Sequence, residues 1–148
     1  MQKTFDLRPA TKDDTGAIRA LVLKARINPT ALNWCRFTLA VSPQGEVIGC
    51  LQVKPHRDGS WELASLVVAE GWQGRGVARA LIEHLTEIQP ASLYLMCRAS
   101  LEPFYRKFGF RVLDDPEMPP YFQRVKRLSN LIDFLAKEGE YLLVMKRE

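Results

Sequence analysis

The chain is short of cysteine. Cys35, Cys50 and Cys97 are its three, far apart and without a C-x-x-C pair. That spacing argues against a disulfide framework or a zinc site, and it suits a reducing compartment, so the expected location is cytoplasmic. Histidine is scarcer still. His56 and His84 have no paired carboxylate and no second ligand at metal spacing, and are read as a hairpin-end residue and a surface residue. No apolar run approaches the roughly 18–20 residues that a membrane-crossing helix needs. Met1 to Asp6 also lacks the apolar core of a signal peptide. There is no arginine-rich tract: 21 basic residues are scattered against 17 acidic ones. The formal charge of +4 therefore favours anionic ligands only in a general way and leaves no nucleic-acid footprint. No Ser/His/Asp or Cys/His arrangement can be defended, and Cys97 is read as a small buried hydrophobe. Internal repeats, low-complexity segments and a second domain are likewise missing.

What is present is ordinary material for a core. A chain of 148 residues with 47% hydrophobic and 26% charged content is the size of one domain, taken as residues 1–148. Phe5 to Arg8 reads as a short strand. Thr11-x-x-Asp14 looks like a capping box ahead of a helix with Ile18, Leu21, Val22 and Ala25 on one face. Strands follow at Arg36 to Ser42, Val47 to Pro55 and Trp61 to Val68. The last two are joined by Arg57-Asp58-Gly59-Ser60, whose Asp-Gly pair signals a tight hairpin. A helix with Val77, Leu81, Leu85 and Ile88 in one stripe ends before Pro90. After it come a strand from Leu93 to Cys97, a helix capped by Ser100 and stopped by Gly109, and a strand from Phe110 to Leu113. Asp114 to Pro120 reads as a linker, Tyr121 to Lys137 as an amphipathic helix, and Tyr141 to Met145 as a closing strand. Hairpins mixed with crossovers imply an α/β domain with a mixed sheet.

The sharpest signal lies between Leu66 and Leu81. A β-branched run, Leu66-Val67-Val68, enters the turn Gln73-Gly74-Arg75-Gly76-Val77-Ala78-Arg79, which becomes a helix. Unpaired amides at a helix N-terminus converge on one spot and make an anion site. Small residues at Gly74, Gly76 and Ala78 leave those amides open to a phosphate. The spacing is neither that of a P-loop nor G-x-G-x-x-G.

Gln73-x-x-Gly76-x-Ala78 resembles the pyrophosphate-binding motif, Q/R-x-x-G-x-G/A, of the GNAT superfamily of N-acetyltransferases. Phe104-Tyr105-Arg106-Lys107-Phe108-Gly109-Phe110 is similar to that family's F-Y-x-x-x-G-F segment. Helical spacing places Leu101, Phe104 and Phe108 on one face with Tyr105 at its edge. Taken by itself, Tyr105 is equally well read as a core tyrosine. The resemblance covers roughly Phe5 to Leu113 and implies the GNAT fold, a mixed and mostly antiparallel sheet flanked by helices, here with an extra helix before the last strand.

The resemblance also implies roles. Gln73 to Arg79 would hold the pyrophosphate of acetyl-CoA, the co-substrate, with no metal. Leu66, Val67 and Val68 would pair through their main chain with the pantetheine arm. Tyr105 would protonate the departing thiolate. Glu62, eleven residues before Gln73, stands where several members carry a general base. An alkyl amine with a pKa of about 10.4 is protonated at neutral pH and must lose a proton before it can attack. The bland alternative for Glu62 is an exposed strand carboxylate. Two departures stand out: Arg98 occupies a position where many members have asparagine, and Glu70 one where proline is frequent. The expected activity is acetyl transfer from acetyl-CoA to a primary amine, on a small molecule or on a protein or peptide, in a ternary complex. A CoA-binding sensor or interaction module is the alternative, and a homodimer is left open. Phe122, Val125, Leu128, Leu131, Ile132 and Leu135 mark a face to be buried in the added helix, with Arg124 and Arg127 off it and placed to meet an acceptor's anionic group.

Overall fold

In the computed structural model, residues 4–89, 91–136 and 141–148 are described, the side chains of 130–136 excepted. The strands are β1 (Asp6–Pro9), β2 (Phe37–Val41), β3 (Val47–Pro55), β4 (Trp61–Val68), β5 (Leu93–Arg98), β6 (Arg111–Val112) and β7 (Leu142–Arg147). The helices are α1 (Thr15–Lys24), α2 (Val77–Ile88), α3 (Glu102–Arg106) and α4 (Pro120–Ala136). The strands form one mixed sheet in the order β1-β2-β3-β4-β5-β7-β6. By its internal contacts the chain divides into two compact units, residues 1–54 with 63–90, and residues 55–62 with 91–148.

In the first unit, β1 and β3 both run antiparallel to β2. Ile18 and Val22 of α1 bury against Phe37, Leu39, Cys50 and Val67. Asp14 starts this helix: its carboxylate accepts the Thr11 N–H at 2.7 Å and holds the Arg8 guanidinium with both oxygens. The periodicity of α2 is realised at Val77, Leu81 and Leu85, with Ile82 also buried, whereas Ile88 is exposed at the helix end. Gly49 of β3 is needed for close approach, since a Cβ there would stand 2.9 Å from Cγ1 of Val77. A left-handed residue, Ser65, interrupts β4 (φ 57°), and its hydroxyl accepts from Gln52 Nε2 at 2.7 Å.

In the second unit, β5 pairs parallel with the start of β4, Trp61 opposite Leu93 and Glu62 opposite Tyr94. β7 lies between β5 and β6, antiparallel to both. Phe122 of α4 is fully buried with Leu113, Met118 and Val144. Leu128, expected on the buried face, is instead 61% exposed. The expected positions Leu131, Ile132 and Leu135 lie outside the described side chains. Two local expectations are corrected. The segment before α3 is a 3₁₀ turn, Ala99–Leu101, so the helix starts at Glu102 with Pro103 in its first turn and Ser100 does not cap it. Tyr105 of the helix is buried, while Leu101, in the turn ahead of it, is exposed. Within the expected linker, Asp115–Glu117 is a short 3₁₀ turn closed by Asp114 and Glu117.

Candidate active site

In the first unit, β4 delivers Leu66, Val67 and Val68 to a turn that reverses into α2. Val67 is buried and its two neighbours are partly so. A 3₁₀ turn over Glu70–Trp72 follows, and Gln73 reaches back with Nε2 to the Val68 carbonyl at 3.3 Å. Gly74 and Gly76 adopt φ of 76° and 81°. Side chains other than glycine rarely take that conformation, so the path of the turn requires glycine at both. An added Cβ at either would meet no heavy atom of the protein within 4 Å, so the space above them is open. Gly76 is the N-cap of α2 and supplies no side-chain cap. The N-cap of this 12-residue helix thus places no side chain over its first-turn amides. Around them, Val77 anchors the helix in the core and Ala78 is partly buried. Arg75 is exposed, its guanidinium 4.9 Å from the centre of the Trp72 ring. Arg79 is exposed and lies 3.4 Å from Glu83. The helix dipole and the Arg75 guanidinium both favour an anion here.

The second unit holds Tyr105 and Glu62. The Tyr105 ring is 8% exposed and meets Phe104 and Phe110 edge-on, at 5.0 and 6.0 Å between centroids. Burial, and then the neighbouring Cys97, push its phenol well above the usual 10, so it stays protonated at neutral pH. Cys97 is itself pushed up to about 11, first by burial and then by Glu102, which makes it a thiol rather than a nucleophilic thiolate.

Glu62 is 5% exposed, not the exposed strand carboxylate that was the alternative. Its Oε1 lies 2.8 Å from Nε2 of His56. The expectation that His56 lacks a paired carboxylate is thereby corrected. The hairpin turn, closed by hydrogen bonds between His56 and Ser60 and between Gly59 and His56, brings the two side chains together. His56 stacks on Tyr121 of α4, 3.7 Å between centroids and 18° between planes, and meets Phe122 edge-on at 5.6 Å. Burial and the Glu62 charge raise the Tyr121 phenol. The signal for this cluster in the sequence was the Asp-Gly turn itself, which makes the residues flanking it neighbours. Nothing local announced Tyr121, which arrives from 65 residues further along. Among the described residues no group of three His, Cys, Asp or Glu side chains could hold a metal, and no helix is long and apolar enough to cross a membrane.

Strand, glycine turn and helix start lie within the segment that a transferase family matches. The acetyltransferase (GNAT) domain family matches residues 33–112, more than half of the chain, and the protein belongs to that family. Solved structures share the fold. N-acetylglutamate synthase from Neisseria gonorrhoeae, complexed with coenzyme A and N-acetyl-glutamate, superposes with a TM-score of 0.76 at 17% identity, over 99% of this chain and 35% of that one. A Mycobacterium tuberculosis protein in complex with CoA gives 0.69 at 19% identity, over 94% and 97%. Ard1 from Thermoplasma volcanium gives 0.69 at 13% identity, over 97% of each chain. The chain spans about a third of the length of the N-acetylglutamate synthase that it resembles.

Proposed function

We propose that this protein is an acetyl-CoA-dependent N-acetyltransferase that passes the acetyl group to a primary amine by direct attack in a ternary complex. The observation that carries the reading is the left-handed pair Gly74 and Gly76 opening α2 without a side-chain cap, a cradle that a pyrophosphate fits. In this reading, amides from Gln73 to Arg79 bind the phosphates, Arg75 and Arg79 add charge, and the main chain of Leu66, Val67 and Val68 holds the pantetheine arm. Glu62 takes one proton from the acceptor ammonium. The freed amine lone pair then forms the C–N bond at the thioester carbonyl as the C–S bond breaks, and the nitrogen releases its second proton to water. Tyr105 gives its proton to the departing sulfur. Burial of Tyr105 keeps the phenol protonated at neutral pH, so it has a proton to give. Free cysteines at 35, 50 and 97 suit a cytoplasmic enzyme.

The test begins with Gly76→Asp. This change places a side chain and a negative charge at a left-handed N-cap, and should weaken acetyl-CoA binding by well over the roughly 1 kcal/mol of glycine replacement alone. Calorimetric titration of the folded variant checks it, and unchanged affinity removes the cradle from the argument. Mass spectrometry of acetyl-CoA with mixed amines then identifies the acceptor. Amino acids including L-glutamate, small polyamines and peptides with free N-termini or lysines are the classes to include. Binding without transfer to any of them would favour a CoA-binding sensor.

A further inference from the structure

We infer that His56 is a positioning residue for Glu62, and that protonation of His56 turns the Glu62 base off. The inference rests on the reading of Glu62 as the base and adds a control to it. A carboxylate as deeply buried as Glu62 stays ionised only with a compensating partner. In its base form Glu62 is ionised and offers lone pairs alone, so in that form the hydrogen between these atoms, 2.8 Å apart, belongs to Nε2 of His56, which donates to Oε1. The neutral ring then orients the base without taking its charge.

The surroundings hold the ring to this task. Tyr121 lies flat against one face and Phe122 presses on it edge-on. Tyr121 is tied in turn by its main-chain N–H to Asp58 Oδ2 at 3.1 Å, and Phe122 is fully buried. A residue serving only to end a hairpin needs neither the stacking nor the carboxylate. The titratable groups that face His56 are Glu62 from β4, Asp58 from the turn and Tyr121 from α4.

Two states follow. With a neutral ring, Glu62 keeps its hydrogen bond and faces no added positive charge. With a protonated ring, imidazolium and carboxylate form an ion pair that holds the carboxylate in its charged form, which makes it a poorer base. In the second state transfer is lost.

The experiment combines pH profiles of kcat at saturating acetyl-CoA, with n-butylamine as the amine probe, and ¹⁵N NMR of the imidazoles, of which the chain has two. In the wild type, kcat should drop at least about tenfold on the acid side, along the curve followed by the His56 resonances, with Nε2 carrying the hydrogen above it. His56→Gln keeps an N–H donor but cannot titrate. It should lose that limb, retain the rise due to amine deprotonation, and show a plateau lowered about tenfold or less. His56→Phe removes the donor and should lower kcat by about 10²-fold. Should His56→Phe fail to fold, the glutamine variant and the spectra still decide. An acid limb that persists in His56→Gln, or His56 resonances that ignore Glu62→Gln, overturns the inference and leaves the base reading standing. Failure of that reading looks different: Glu62→Gln would then leave kcat unchanged at every pH.

Discussion

Oδ2 of Asp58 accepts the main-chain N–H of Tyr121 at 3.1 Å, across 63 residues of sequence, so the turn of one hairpin caps the first turn of α4. Oδ1 of the same carboxylate takes the amide and hydroxyl of Ser60. Loss of a capping carboxylate costs about 1 kcal/mol. Asp58→Ala should therefore lower stability by about that much, and speed hydrogen exchange at Tyr121 more than elsewhere in α4. Asp58→Asn should retain most of both. The Ser60 hydroxyl, before the other donors, holds the Asp58 carboxyl below the usual carboxylate range. A depressed folded pKa gives stability that is present above about pH 4 and lost as pH falls further, so the Ala variant and the wild type should converge in acid.

Tyr105→Phe should leave acetyl-CoA affinity nearly intact and lower kcat by about 10²–10⁴-fold, the range for a positioned acid. Because burial raises the phenol, the wild type should show no loss of activity assignable to Tyr105 below about pH 10. Stopped-assay kinetics from pH 6 to 10 check both statements. An unchanged kcat would make Tyr105 a core residue only.

At the other end of the chain, Asp14 binds Arg8 through both oxygens and the Thr11 amide through one. The Arg8 guanidinium, ahead of the Thr11 donors, holds the Asp14 carboxyl far below the ordinary range. Asp14→Asn should destabilise the protein by about 1–3 kcal/mol at pH 7. The contribution is complete above the unfolded pKa of about 3.9 and fades as pH falls below it, so chemical denaturation at pH 7 and pH 2.5 should show the gap closing.

Arg127 lines a surface hollow of about 250 Å³ with Asp115, Pro116, Gln123 and Lys126. Lys126 is 3.2 Å from Asp115, while Arg124 is exposed outside the hollow. If these arginines meet an anionic group of the acceptor, Arg124→Ala/Arg127→Ala should raise the KM for acceptor by about tenfold and spare that for acetyl-CoA. Equal changes in both constants would return α4 to a purely structural role.

The sequence disclosed what depends on local rules. Capping by Asp14, the Asp-Gly hairpin, the glycine turn and the apolar period of α2 as far as Leu85 each need only a few consecutive residues, and each stands where expected. The errors fall where a neighbour distant in sequence decides. Periodicity marked Leu128 as buried, but a helix stripe shows only which residues align, not how far along its length the core extends. His56 looked solitary because the rings it meets, Tyr121 and Phe122, come from α4, which no spacing rule connects to it. Glu62 could be named as a base candidate from its distance to Gln73, yet its burial depends on packing that the strand pattern does not encode.

β7 is the last strand in chain order, yet it lies between β5 and β6 and is hydrogen-bonded to both. On the ribosome, β5 and β6 emerge first with their facing edges unpaired, and neither can dock on the other because a strand's width separates them. The sheet of the second unit therefore closes only when residues 142–147 have been released, as a single late event that satisfies two open edges at once. Until then those two edges are open to pairing with another molecule.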